Sequence, residues 1–246
     1  MKRYAVVQHT FSEFLGLIEN LLERRDIGFN YYRPFVGQDL PGSAVHHDAL
    51  FLLGGGHLPT LEHCPWMEDE LRLISLFQKA KRPVVGIGFG GLLVARAAGA
   101  RLSPEPSHHA RWSRAYATRA GEGDPVAEGL HGRHVLAMHR GAAILPPGLE
   151  PILVDDGGNW LAIRPDALTY GLLIRPEMKP GMMEDIIMEG DREVPENMPE
   201  LLSVVRENWE GMQETAQRTI VALVKALDLM RERRKAPVFL LHQEPP

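Results

Sequence analysis

The segment Pro83-Val84-Val85-Gly86-Ile87-Gly88-Phe89-Gly90-Gly91 constrains this chain more than any other. A short apolar run that opens on proline and closes on clustered glycines reads as a buried strand, a tight turn and the start of a helix. That is the layout of a nucleophile elbow, where a sharp turn lifts one side chain above the end of a sheet. The residue at the apex is Gly88, which has no side chain to lift. Glycine holds such a turn with little strain, so the geometry survives without the reactive group.

Strand and helix patterns alternate through the first hundred residues. The runs 4–8, 29–32, 49–53 and 83–87 are short and rich in Val, Leu, Ile and aromatics, with turn residues at their ends. Between them, residues 12–24 carry a helical stripe of Phe14, Leu15, Ile18, Leu21 and Leu22, with Ser12 placed to cap it. Residues 65–81 carry a second: Pro65 suits the first turn, and Glu68, Asp69 and Glu70 complement the helix dipole. Such alternation predicts a mostly parallel sheet covered on both faces. The block 114–176 holds more strand than helix, with candidate strands at 116–119, 135–139, 152–154, 160–163 and 170–174. From Pro199 a stripe of Leu201, Val205, Trp209, Met212, Ala216, Ile220, Leu223, Leu227 and Met230 predicts one long helix, bent or split at Gly211.

Composition excludes several classes of function. At 246 residues and 44% hydrophobic content the chain buries one substantial core, with or without an appendage. A net charge of -5 supplies no broad field for nucleic acid or an anionic membrane. Cys64 is the only cysteine, which rules out an intrachain disulfide and suits a reducing compartment. The apolar run at the start is too short for a secretory core, and no later stretch has the length of a membrane span, so a cytoplasmic protein is expected.

Six landmarks, in order, resemble the class I glutamine amidotransferases, above all the amidase domain of GMP synthetase. They are the strand and glycine loop Asp48 to Gly56, the helix start at Pro65-Trp66, the elbow from Gly86 to Ala98, the turn at Asp124-Pro125, the segment around Met138-His139 and the strand ending in Arg175-Pro176-Glu177. The resemblance covers about residues 1–190. It implies an α/β, flavodoxin-like three-layer fold with a mostly parallel central sheet. The expected division is an amidotransferase-like domain over 1–195 and an added C-terminal helical segment and tail over 196–246.

The departures fall on the chemistry. By position, the family's catalytic cysteine is Gly88 and its histidine is Arg175, while Glu177 keeps the acid. An arginine stays protonated and cannot act as a base. Leu92 stands where the family has a glutamine, and His109-Ala110-Arg111-Trp112 replaces a substrate-contacting Glu-x-Gly-Trp. The resemblance therefore implies a pseudoenzyme with no catalytic residues. It places Gly55, Gly56, Phe89, His109, Arg111, His139, Arg140 and Arg175 around the former pocket, where they would hold an anionic small molecule. Set against that reading, Arg175 pairs with Glu177 as a structural bridge filling the dead pocket.

Other assignments follow from single residues. His57, His63, His108, His109 and His139, with Cys64, lack the tight spacing of a metal site, so no metal and no cofactor are expected. Cys64, on the loop before the second helix, reads as an exposed or capping thiol rather than a displaced nucleophile. The C-terminal stripe, together with the apolar tail at 238–241, offers an interface for a protein partner or a second copy, as against packing on the chain's own sheet. Two further readings stand beside the partner-binding one: an enzyme of altered chemistry using Glu177, His109 and His139 with Arg175, and a non-hydrolysing subunit of an amidotransferase complex.

Overall fold

Residues 2–189 and 193–230 are described by a computed structural model, with residues 104–106 described by their backbone alone. The chain runs β1 (Lys2–Val7), α1 (Gly16–Glu23), β2 (Ile27–Tyr32), β3 (Ala49–Leu52), α2 (Met67–Lys79), β4 (Val84–Ile87), α3 (Phe89–Ala97), β5 (Arg101–Arg114) and β6 (Tyr116–Ala117). It continues through α4 (Pro125–Leu130), β7 (His134–Ile144), β8 (Leu153–Val154), β9 (Trp160–Asp166), β10 (Thr169–Leu172), α5 (Pro180–Met188), α6 (Met198–Glu207) and α7 (Trp209–Leu227). Eight strands form one sheet in the order β2-β1-β3-β4-β10-β9-β8-β6. Strands β2, β1, β3, β4 and β10 are parallel neighbours, and β9, β8 and β6 extend the sheet antiparallel. The long strands β5 and β7 form a separate antiparallel pair.

Burial on both faces explains why the central strands are nearly continuous apolar runs. Tyr4, Val6, Phe51 and Val85 point to one face and pack with Leu15, Ile18 and Leu22 and with Ile220, Leu223 and Leu227 of α7. Ala5, Val7, Leu50, Leu52 and Val84 point to the other, under Leu73, Ile74 and Phe77 of α2 and Leu92 and Leu93 of α3. A third, methionine-rich cluster joins Leu136 and Met138 of β7 to Met182, Met183, Met198, Leu201 and Val205 of α5 and α6. The C-terminal helices are thus part of the same packed body. Leu201, Val205, Met212, Ala216, Ile220, Leu223 and Leu227 of their apolar stripe lie against the chain's own core, while Met230 at its end is exposed. The tail 238–241 lies outside the described residues.

Three local expectations change. The first helix starts at Gly16, four residues after the expected cap at Ser12. Gly16 has φ +49°, its Cβ would overlap the Glu177 carbonyl, and Leu17 donates to that carbonyl at 2.9 Å. Close approach to the loop after β10 therefore sets the helix start and leaves residues 8–15 as a loop over the sheet. The C-terminal stripe breaks at Asn208, not at Gly211: Asn208 closes α6 and opens α7, and its side chain donates to the Val204 carbonyl at 2.8 Å. Strand β5 has no counterpart among the expected strands. It is polar and carries Pro104 and Pro106, and its pairing with β7 gives it its form.

Candidate functional site

The turn between β4 and α3 has the shape its sequence predicts. Gly88 adopts φ +56° and ψ −115°, a backbone region that side chains strain to enter. Its N–H donates to the Leu172 carbonyl at 2.7 Å, locking the turn to the end of β10. Three residues beyond that strand end, Arg175 turns back over the elbow. A Cβ on Gly88 would lie 3.1 Å from Arg175 Cδ, 3.2 Å from the Met138 carbonyl oxygen and 3.3 Å from the Cα of Gly54. The guanidinium continues to Gly54 and lies flat against it, where any Cβ would overlap Cζ and both terminal nitrogens. Arg175 fills the space above the elbow.

Two carboxylates hold the arginine there. Arg175 Nε donates to Glu177 Oε1 at 2.6 Å, and Nη2 lies 2.9 Å from Glu13 Oε1. All three side chains are essentially out of water. Burial opposes the charge on Arg175, but Glu177 and Glu13 outweigh it and keep the pKa above the ordinary guanidinium range. Glu177 is pushed upward, chiefly by burial, with Arg175 working against that rise. Glu13 comes from the loop 8–15, whose turn it shares with Thr10: Thr10 Oγ1 donates to Glu13 Oε2 at 3.1 Å. The apolar stripe over 12–24 points to a helix there and hides Glu13 as a partner of the site.

A second buried pair is equally hidden in the sequence. His9, at the end of β1, is enclosed, with Nε2 3.0 Å from Glu70 Oε2 and Nδ1 3.1 Å from the Gly54 carbonyl oxygen. Burial lowers the His9 pKa, but Glu70 overcomes this and the net shift is upward. Glu70 does more than complement the helix dipole: it points inward from α2 to brace His9 beneath the glycine loop. Phe89 packs edge-on to His9 at 4.8 Å between ring centroids. The only signal for the pair is a histidine soon after a buried strand.

Of the expected pocket residues, Gly55, Gly56, His139, Arg140 and Arg175 line one cavity, together with Glu13, His108 and Glu193. Its volume is about 30 Å3, the room of roughly one water. Phe89, His109 and Arg111 stand outside its lining. His109 stacks on His139 with centroids 4.7 Å apart, and Arg111 Nε lies 2.7 Å from Asp155. Arg140 Nη2 lies 2.5 Å from Glu193. Each of the three arginines therefore has a carboxylate partner. Burial first, and then His109, push the His139 pKa down to about 3, so its ring is neutral near pH 7. Leu92 is fully buried in the core.

Cys64 corrects one expectation. It is not exposed; it sits in the core under α2, and burial pushes its thiol pKa up to about 12. Cys64 precedes α2 by three residues and faces apolar neighbours, so no helix start lowers its pKa. No three histidines, cysteines or acids converge as a metal site among the described residues. No helix among them is long and apolar enough to cross a membrane.

The fold recurs in known proteins. A glutamine amidotransferase of Methylobacillus flagellatus superposes with a TM-score of 0.80 at 22% identity, over 96% of this chain and 99% of that one. A glutamine amidotransferase of Thermotoga maritima gives 0.74 at 18% identity, over 92% and 98%. In sequence, the glutamine amidotransferase-like protein YfeJ of Salmonella typhimurium is 33% identical over 110 residues. The chain shares the fold of these glutamine amidotransferases. Its fold is that of the class I enzymes. The likeness to a GMP synthase protein of Thermoplasma acidophilum extends to the fold with a TM-score of 0.54 at 16% identity, over 85% of this chain and 98% of that one. The sequence match to YfeJ spans 43% of this chain and 46% of YfeJ, about half of either. No family model matches. The superposition on the Methylobacillus protein is too extensive to leave out α6 and α7, which agrees with their place in the packed body.

Proposed function

We propose that this chain is a glutamine amidotransferase-like protein that does not hydrolyse glutamine and acts by binding a protein partner. The observation that carries the first half is Arg175 lying above Gly88 and against Gly54, held between Glu13 and Glu177. Hydrolysis of a carboxamide by this fold needs a thiolate, a base and space for the substrate. The apex has no side chain, the base position is a buried guanidinium, and the cavity admits one water. The reading as an enzyme of altered chemistry meets the same geometry: Glu177 and Arg175 are sealed from solvent and bonded to each other.

Partner binding draws support from the same end of the sheet. Phe11 follows β1 and packs edge-on to Phe35, which follows β2, with centroids 4.9 Å apart. Phe11 is nonetheless 65% exposed, and the adjacent Val36 is 55% exposed. Large apolar side chains gathered at a functional rim and left facing water mark association surfaces.

Two measurements test the reading. Purified protein given glutamine releases no glutamate above a heat-killed control; turnover would end the claim of a dead centre. The Phe11→Ser variant loses a stoichiometric co-purifying protein that the wild type retains; identical recovery with both would move the interface elsewhere.

A further inference from the structure

Glu193, Val194 and Pro195 line the cavity beside Arg175. Glu193 carries a carboxylate across it, 2.5 Å from Arg140 Nη2 and 3.9 Å from His108 Nε2. The two sides of this contact differ in character. His108 and Arg140 stand directly opposite each other in the β5–β7 pair, so the strand register presents both side chains on one face. Their side chains are only 19% and 15% exposed. Glu193 lies outside regular secondary structure, and its side chain is 74% exposed. Arg140, with His108 beside it, is built into a rigid pair of strands, while the anionic partner is an exposed side chain laid onto them.

The Arg140–His108 side is also incompletely used. His108 Nε2 and Arg140 Nε are buried and have no hydrogen-bond partner among the described residues. The lining also brings together the apolar side chains of Met138, Ile186 and Met198. A few placed polar groups among apolar side chains are the usual form of a site for a small amphipathic ligand.

We infer that Arg140 and His108 form a carboxylate subsite, that Glu193 is its internal occupant, and that a short-chain aliphatic carboxylate takes the place of Glu193. The arginine supplies the charge-assisted hydrogen bond. Met138, Ile186 and Met198 cover the aliphatic tail. With Glu193 in place the cavity holds about one water, so ligand and Glu193 compete for one position. A phosphate has no tail to bury against the methionines, and these apolar side chains select against it. The inference rests on the reading of a centre that binds without hydrolysing, and the two fail separately: glutamate release would remove that reading, while binding decides this one.

The test is calorimetric titration of the wild type, Glu193→Gln and Glu193→Gln/Arg140→Gln with acetate, butyrate, hexanoate and inorganic phosphate, at ionic strength matched with sodium chloride. Glu193 is exposed, so its neutral isostere leaves the fold intact, and a melting curve of each variant verifies this. Removal of the competing carboxylate strengthens butyrate binding about tenfold or more. Hexanoate binds more tightly than acetate, and the added Arg140→Gln abolishes the gain. A Glu193→Gln variant no tighter than wild type would overturn the inference. So would a double variant that binds equally well, or phosphate binding tighter than butyrate. His108→Gln in the Glu193→Gln background weakens butyrate binding again, and this gives a second variant free of any change at Arg140.

Discussion

Arg175 and Gly54 occupy complementary halves of one space: the guanidinium lies where a side chain on Gly54 would be. Glycine at this position is therefore fixed by the arginine and not by its backbone angles, since Gly54 has no positive φ. Gly54→Ala forces the guanidinium out of its place between two carboxylates. The expected cost is about 1–3 kcal/mol, the usual range for overpacking a closed site. In an Arg175→Ala background the same substitution costs much less, because the overlapping atoms are gone. Urea unfolding of the four proteins in this double-mutant cycle gives the coupling directly. Equal costs in both backgrounds would mean that Arg175 does not lie against the glycine loop.

Arg175 is the cation placed between Glu13 and Glu177, and Arg175→Met leaves two carboxyl groups buried together. Loss of one partner from a buried ionic cluster costs about 3–5 kcal/mol near neutral pH. The pH dependence has a definite sign. Burial raises the Glu177 pKa in the folded chain, so the folded state keeps a proton that the unfolded chain has released. Its contribution is fully present below the ordinary carboxylate range and is lost as pH rises through the raised value. Arg175→Met steepens that loss and Glu177→Gln removes it. Unfolding free energies from acid to neutral pH would show both slopes; a flat profile in Arg175→Met would contradict the buried cluster.

The parts of the molecule that are legible in the sequence are those whose pattern has a single physical cause. Strands β1, β3 and β4 are buried on both faces, and their apolar runs leave little else to build. The elbow glycines are legible because turn, close approach and helix start all demand small residues at fixed steps. Strand β5 is not, since its polar residues become a strand only through pairing with β7, later in the chain. The inward turn of Glu70 is hidden for a similar reason. An acid in the first turn of α2 suits the helix dipole whether it faces water or His9, and only the tertiary fold selects between them. Glu13 follows the same logic: the start of α1 is set by contact with Glu177, far away in sequence.

The His9–Glu70 pair makes its own prediction. Glu70 raises the folded pKa of His9 above its unfolded value of about 6.5, so a protonated, paired histidine adds stability. That contribution is fully present below the ordinary histidine range and disappears as pH rises through the raised value. Glu70→Gln lowers the His9 pKa and flattens stability over this window. Proton NMR of the His9 ring follows the pKa itself, and a ring that titrates no higher than an exposed histidine would show that Glu70 does not carry charge beside it.

A thiol placed at the elbow is not expected to give glutamine hydrolysis. Gly88→Cys places a side chain at φ +56°, which costs about 1–3 kcal/mol in strain. Its Cβ also crowds Arg175 Cδ at 3.1 Å and the Met138 carbonyl oxygen at 3.2 Å. The thiol then sits beside a guanidinium that stays protonated and takes no proton from it. Glutamate release by Gly88→Cys is therefore expected to match the background. Gly88→Cys/Arg175→His supplies nucleophile and base beside Glu177 and vacates the space of the guanidinium. It still has the buried core residue Leu92 in place of the family's glutamine, so it too is expected to leave glutamine untouched. Glutamate release by the double variant but not by the single one would show that the pocket opens once Arg175 is gone. The chain would then have lost two residues of the amidase and kept its substrate site.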